Sequence, residues 1–143
     1  MKVLITGANG FVGKNLAVHL GERKDLEVFC FCREHTARDL VALVAKVDFI
    51  FHLAGVNRPQ DPEEFKTGNA GLTQALSDAI IASGRKIPLI YTSSTQAAHD
   101  NAFGLSKRPA EEVCTKLASK HGSPLYLFRL PNVFGRWARP YYN

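Results

Sequence analysis

Lys2–Gly13 reads KVLITGANGFVG, and this stretch decides how the rest of the chain folds. Its first half, Lys2–Thr6, is a short apolar run of the length and composition of a strand. Its second half places Gly7, Gly10 and Gly13 at a G-x-x-G-x-x-G spacing. Three glycines in a loop are a weak signal alone. Here they leave a strand directly and open a helix over Phe11–Leu20, where Val12, Leu16 and Leu20 form an apolar stripe. In that context Gly7 permits a tight turn, Gly10 lets a pyrophosphate approach the backbone, and Gly13 lets helix and strand pack closely. The free N–H groups of the helix start then face the phosphates. Asn9, Phe11 and Val12 complete the predicted dinucleotide cradle.

Outward from that loop, strands and helices alternate. Glu27–Cys32, Asp48–Leu53, Ile87–Thr92 and Leu125–Arg129 read as further strands. Ala37–Lys46, Pro62–Ser83 and Ala102–His121 read as helices, the last with Pro109 inside it. The alternation predicts an α/β fold of the Rossmann kind, a doubly wound parallel sheet in the order 3-2-1-4-5 with helices on both faces. Residues 1–143 are expected to form one NAD(P)-binding domain. RLPNVFGRWARPYYN follows the fifth strand without a sixth, so the sequence is read as truncated before a substrate domain.

A chain of 143 residues, 45% hydrophobic and 22% charged, can bury a substantial core. No apolar run reaches the ~20 residues of a membrane helix, and the opening lacks the build of a signal peptide. A cytoplasmic protein with no membrane partner is expected. The net charge is +5, but the basic residues are scattered apart from Arg129, Arg136 and Arg139. That short patch is too small to predict nucleic-acid binding. Cys30, Cys32 and Cys114 are odd in number, and C-x-C fits no zinc framework. No metal site is expected, and Cys30 and Cys32 read as buried thiols.

The second strand ends Cys32-Arg33-Glu34. Arg33 suits the 2′-phosphate of NADP. Glu34 leaves NAD open, because an acid there can hold a ribose hydroxyl.

Taken in order, these motifs resemble the extended short-chain dehydrogenase/reductases, which include the NAD-dependent epimerase/dehydratases. TGANGFVG is similar to the family's glycine loop, and HLAG at His52–Gly55 to a motif lining the cofactor channel, placing Leu53, Ala54 and Gly55 beside the cofactor. Asn69 resembles the asparagine opening an N-x-x-x-T-x-x-L helix. TSSTQ resembles the serine motif, with Ser94 at the catalytic hydroxyl. FGLSK resembles Y-G-x-S-K, with Lys107 as its lysine, and RLPNVFG resembles R-x-x-N-x-[FY]-G. HLAGVNRP, the short interval from Ser94 to Phe103, and RLPNVFGRWARPYYN are similar to one subgroup, the capsular-polysaccharide reductases of UDP-N-acetyl-L-fucosamine synthesis.

The resemblance implies an NADPH-dependent reductase of a 4-keto UDP-sugar, with a zinc-bearing cupin domain that this sequence lacks. A UDP-sugar 4-epimerase or dehydratase is the alternative, though Thr95-Gln96 stands where a dehydratase carries Asp-Glu. A non-catalytic dinucleotide-binding module is another. The resemblance also implies that a tyrosine phenol at position 103 gives a proton to the ketone oxygen, helped by Lys107 and Ser94. Phe103 has no such proton. Three origins are open: an engineered trap, a natural site in which His99 or Tyr91 supplies the acid, or a decayed copy. Asn57, Arg58, Asn132, Arg136 and Arg139 are candidate substrate contacts, the last two through pyrophosphate. His52 reads as a satisfied core histidine. The family pairs its fourth and fifth helices between subunits, so apolar residues on Ala70–Ile81 and Ala110–Leu117 are compatible with a homodimer and equally with packing on the sheet.

Overall fold

The computed structural model describes residues 1–56, 61 and 66–138. It begins with β1 (Lys2–Thr6), α1 (Phe11–Gly21), β2 (Glu27–Phe31), α2 (Ala37–Val44) and β3 (Phe49–His52). A wide π-type turn over Lys66–Gly71 runs into α3 (Leu72–Ala82). Then come β4 (Leu89–Ser94), a 3₁₀ turn (Thr95–Ala98), α4 (Ala102–Lys116), a second π-type turn (Leu117–His121) and β5 (Leu125–Leu130). α4 runs through Pro109. The predicted helix start at Pro62 lies outside the described residues.

All five strands are parallel, as expected, but their order is β2-β1-β3-β4-β5. This corrects 3-2-1-4-5. That order needs a strand beyond β2 before the chain crosses back. Between β2 and β3 the chain carries one helix, α2, so its single crossover sets β3 against the free side of β1, with Val3 beside Phe49. β2 is therefore an edge strand. Its middle residues are only partly covered, and Cys30 is exposed, not buried as expected.

Handedness explains the layers. The step from β1 to β2 runs one way across the sheet, and every later step runs the other way. Right-handed crossovers then put α1 on one face and α2, α3 and α4 on the opposite face. Leu40, Val44, Leu76, Ile80, Ala110 and Cys114 form the larger core. Leu16, Ala17 and Leu20 of α1 pack over Ile5, Val28 and Phe51 on the other side. Full burial of a leucine or isoleucine contributes ~1.5–3 kcal/mol. Direction reverses between β1 and β3, so the carboxyl ends of those strands open a crevice at the switch point. Leu76, Ile80, Ala110 and Leu117 pack in this core, as the sheet-packing alternative expected, while Ile81 and Leu105 stay exposed on the same two helices. Among the described residues no helix is long and apolar enough to cross a membrane.

Candidate cofactor and active site

The crevice is floored by the glycine loop. Gly7 has φ 74°, which favours glycine, and its N–H donates to Phe31 O at 3.0 Å. A Cβ there would lie 2.7 Å from Ala54 Cα, so β1 and the chain after β3 touch through backbone. Gly10 caps α1 with extended backbone, and Lys14 N–H donates to its carbonyl at 2.9 Å. Gly13 is buried, and a Cβ there would strike Gly7 O and lie 2.8 Å from Ala8 Cα. Asn9 and Gly10 are exposed, and Phe11 and Val12 half-buried, around the helix start. The cradle fits a dinucleotide phosphate because glycine keeps its turns narrow and α1 brings free N–H groups to its rim.

Behind the loop runs a polar chain that composition alone did not reveal. Ala54 N–H donates to Thr6 Oγ1 (3.3 Å), and Thr6 Oγ1 meets His52 Nδ1 (2.6 Å). His52 Nε2 meets Thr73 Oγ1 (2.8 Å), and Thr73 donates its proton to Asn69 O (2.7 Å). Thr73 must therefore accept from His52, which fixes the proton on Nε2 and leaves Nδ1 to accept from Thr6. Asn69 Oδ1 accepts from Val56 N–H (2.9 Å), while its Nδ2 donates to Ser106 Oγ (3.1 Å). Ser106 in turn donates to Phe103 O (2.6 Å). One directed chain thus ties β1, β3, α3 and α4 together under the site. Thr73 was visible as the threonine of N-x-x-x-T, and Thr6 and Ser106 as members of the TGANGFVG and FGLSK motifs; their joining through His52 and Asn69 was not.

His52 is the satisfied core histidine expected. Burial, and then the charge of Lys107, pushes its imidazole down to about 3. Between pH 6.5 and 3 the unfolded imidazole takes a proton that the folded one refuses. Stability falls as pH drops through that window, by up to ~1.4 kcal/mol per pH unit. Urea unfolding at pH 7, 6 and 5 is expected to show this slope, and His52→Gln to flatten it by that amount. An equal slope in the variant would contradict a neutral buried His52.

Ser94 closes β4, and its Oγ accepts from Gln96 N–H (3.2 Å). The short interval to Phe103 is spanned by the 3₁₀ turn and by Asn101, which caps α4 through Gly104 N–H (2.8 Å). Gly104 presses on the carbonyls of Gln96 and His99, so no side chain separates that turn from α4. Phe103 is half-buried on the first turn of α4. Lys107, one turn later, is 5% exposed, with Nζ 5.6 Å from the Phe103 ring and 5.8 Å from the Tyr91 ring. Tyr91 is not the replacement acid: it is 1% exposed within the core, its hydroxyl is buried without a partner among the described residues, and burial raises its pKa. His99 is exposed beyond the 3₁₀ turn.

A charged cluster that sequence reasoning missed lies beneath. Glu111 Oε1 accepts from Ser93 Oγ and from Arg129 Nε (3.0 Å), and Oε2 from Arg129 Nη2 (2.7 Å). Burial pushes the Glu111 carboxyl up, but the bonds from Arg129 and Ser93, with the charges of Arg129 and Lys107, outweigh it and hold it below the ordinary glutamate range. A shallow cavity of ≈ 410 Å³ beside this cluster, between Arg108 and Arg129, is separate from the crevice.

The remaining candidates are dispersed. Arg33 is exposed beyond β2. Cys32, Glu34 and His35 bring three ligand-type atoms within 4.8 Å. His35 Nδ1, however, accepts from Cys32 N–H (2.9 Å), which puts the imidazole proton on Nε2 and leaves no free lone pair for a metal. Asn132 and Arg136 are exposed in the loop after β5. Asn15 draws that loop toward the cradle, donating to Arg136 O (2.8 Å) and Phe11 O (2.9 Å). Asn57, Arg58 and Arg139 lie outside the described residues.

The sequence pattern of the NAD dependent epimerase/dehydratase family matches residues 3–141. The chain belongs to that family. Within it, the UDP-2-acetamido-2,6-beta-L-arabino-hexul-4-ose reductase of Pseudomonas aeruginosa is 62% identical over 143 residues, 100% of this chain and 38% of that protein. The capsular polysaccharide assembling protein CapF from Staphylococcus aureus superposes with a TM-score of 0.85 at 40% identity, over 100% of this chain and 39% of that one. The UDP-glucuronic acid 4-epimerase from Bacillus cereus in complex with NAD superposes at 0.86 but at 21% identity, over 98% of this chain and 60% of its own, a likeness of fold alone. The chain thus spans 38% and 39% of the first two relatives.

Proposed function

We propose that this chain is the cofactor-binding part of an NADPH-dependent reductase acting on the 4-keto group of a UDP-linked sugar, in the cytoplasmic synthesis of a surface polysaccharide. The observation that carries the reading is the 62% identity along the whole chain to a reductase of that class. The glycine cradle and the buried Lys107 support that reading as a cofactor site. The cofactor, when bound, supplies hydride. Gly7, Gly10 and Gly13 with the α1 start would hold its pyrophosphate, and Leu53, Ala54 and Gly55 would line its channel. Arg33 would pair with the 2′-phosphate, and Lys107 would face the nicotinamide ribose. Ser94 would orient the sugar oxygen. Asn57, Arg58, Asn132, Arg136 and Arg139 are the proposed sugar-nucleotide contacts, and a homodimer through α3 and α4 is the proposed assembly, which light scattering tests.

Calorimetric titration with NADPH and, separately, NADH tests the cofactor assignment. NADPH is expected to bind at least tenfold tighter, and Arg33→Ala to abolish that preference while leaving NADH unchanged. Equal binding removes NADP, and binding of neither removes the functional reading. One observation favours a second reading, a non-catalytic dinucleotide-binding module: Phe103 stands where the family's acid does.

A further inference from the structure

We propose that Lys107 is itself the proton donor of this site, its ammonium protonating the oxygen of the substrate carbonyl in place of a phenol at position 103. The proposal rests on the reductase reading and extends it to a residue whose family role is to assist a tyrosine.

The placement comes first. A Cβ built on Gly55 would lie 2.7 Å from Lys107 Nζ and 3.0 Å from Asn69 Oδ1. The ammonium therefore sits at the carboxyl edge, against the backbone that follows β3. The rings of Phe103 and Tyr91 flank it. Glu111 lies four residues on along α4, the spacing of a helical ion pair. Both its oxygens are taken by Ser93 and Arg129. Among the described residues Lys107 Nζ makes no ion pair and no hydrogen bond. A buried ammonium kept without a carboxylate is costly to the fold, and it holds its proton loosely. Burial lowers Lys107 to about 8, against the opposing charge of Glu111.

The other groups facing it leave that balance undisturbed. His52 from β3 is neutral, Tyr91 from β4 holds its phenolic proton, and Asn69 is uncharged. Arg129 of β5 acts through Glu111. The step balances simply. Hydride from a reduced nicotinamide dinucleotide adds to the carbonyl carbon, and the C=O π pair moves to oxygen. A proton from Nζ completes the hydroxyl. Lys107, left as a neutral amine, is reprotonated from water.

Two measurements on the full chain test this. First, reductive ¹³C-methylation gives the Lys107 amine an NMR signal, assigned by its loss in Lys107→Met. It is expected to titrate near 8. Arg129→Met frees Glu111, so the signal should then titrate higher by a unit or more; titration at the ordinary lysine value in the unmutated chain overturns the proposal. Second, NADPH oxidation is followed with a UDP-linked 4-keto sugar across pH. The rate is expected to fall tenfold per unit above about 8, and Lys107→Met to lose ~10²-fold or more in kcat at saturating NADPH. A rate indifferent to Lys107→Met overturns the proposal. So does turnover confined to Phe103→Tyr, which leaves the reductase reading standing. Turnover by neither protein removes both.

Discussion

Phe103→Tyr is expected to raise the proposed NADPH-dependent reduction of a UDP-linked 4-keto sugar by ~10²-fold, the lower end of what a positioned general acid contributes. The backbone that carries the ring is already fixed. Gly104 is wedged against the carbonyls of Gln96 and His99, so the backbone sets where the ring stands, and one added hydroxyl leaves α4 unmoved. Lys107 lies one turn further with its ammonium 5.6 Å from the ring centre. A phenol of pKa ~10 beside that charge is shifted toward neutrality, the condition for donating a proton there. The gain is expected at the lower end because Lys107, as proposed above, supplies part of the acid function. It widens above pH 8, where Lys107 has lost its proton. Steady-state rates for both proteins at pH 7 and 9 check this. An unchanged rate at both values, with NADPH still bound, would favour the non-catalytic module.

The parts of this site legible in the sequence are those whose chemistry depends on local spacing. Gly7, Gly10 and Gly13 could be read because a strand, a turn and a helix start fit within one short segment. Lys107 could be read for the same reason, one helical turn from Phe103. The sheet order could not. The side of β1 on which β3 lands depends on how many crossovers separate it from β2, and apolar periodicity is identical for edge and centre. Cys30 was misplaced by that same ambiguity, since an apolar run reads as doubly buried until its neighbours are known. The Glu111–Arg129–Ser93 cluster joins three elements, and no pattern within any one of them announces it. His52 was legible as buried, but its tautomer follows only from the direction in which Thr73 donates.

Gly13→Ala is the substitution expected to do most damage for its size. The added Cβ would lie 2.8 Å from Ala8 Cα and 2.9 Å from Gly7 C, and would strike Gly7 O. All three are backbone atoms, with no flexible side-chain end to yield. Either α1 moves away from β1 or the loop opens, and overpacking of this kind costs ~1–3 kcal/mol or more. Either response also moves the N–H groups of the α1 start away from the position proposed for the pyrophosphate. Dinucleotide affinity is therefore expected to fall by ~10²-fold, equivalent to ~2.7 kcal/mol, alongside the lost stability. Gly21→Ala supplies the contrast. Nothing lies within 4 Å of a Cβ at that position, the last of α1. Alanine there is expected to be neutral or to stabilise by ~0.4–1 kcal/mol through the unfolded chain, with cofactor binding unchanged. Urea unfolding and calorimetry on the two variants separate the cases. If Gly13→Ala binds the dinucleotide as tightly as the unmutated chain, close packing at this glycine is not what shapes the cradle, and the phosphate must be held elsewhere along the carboxyl edge.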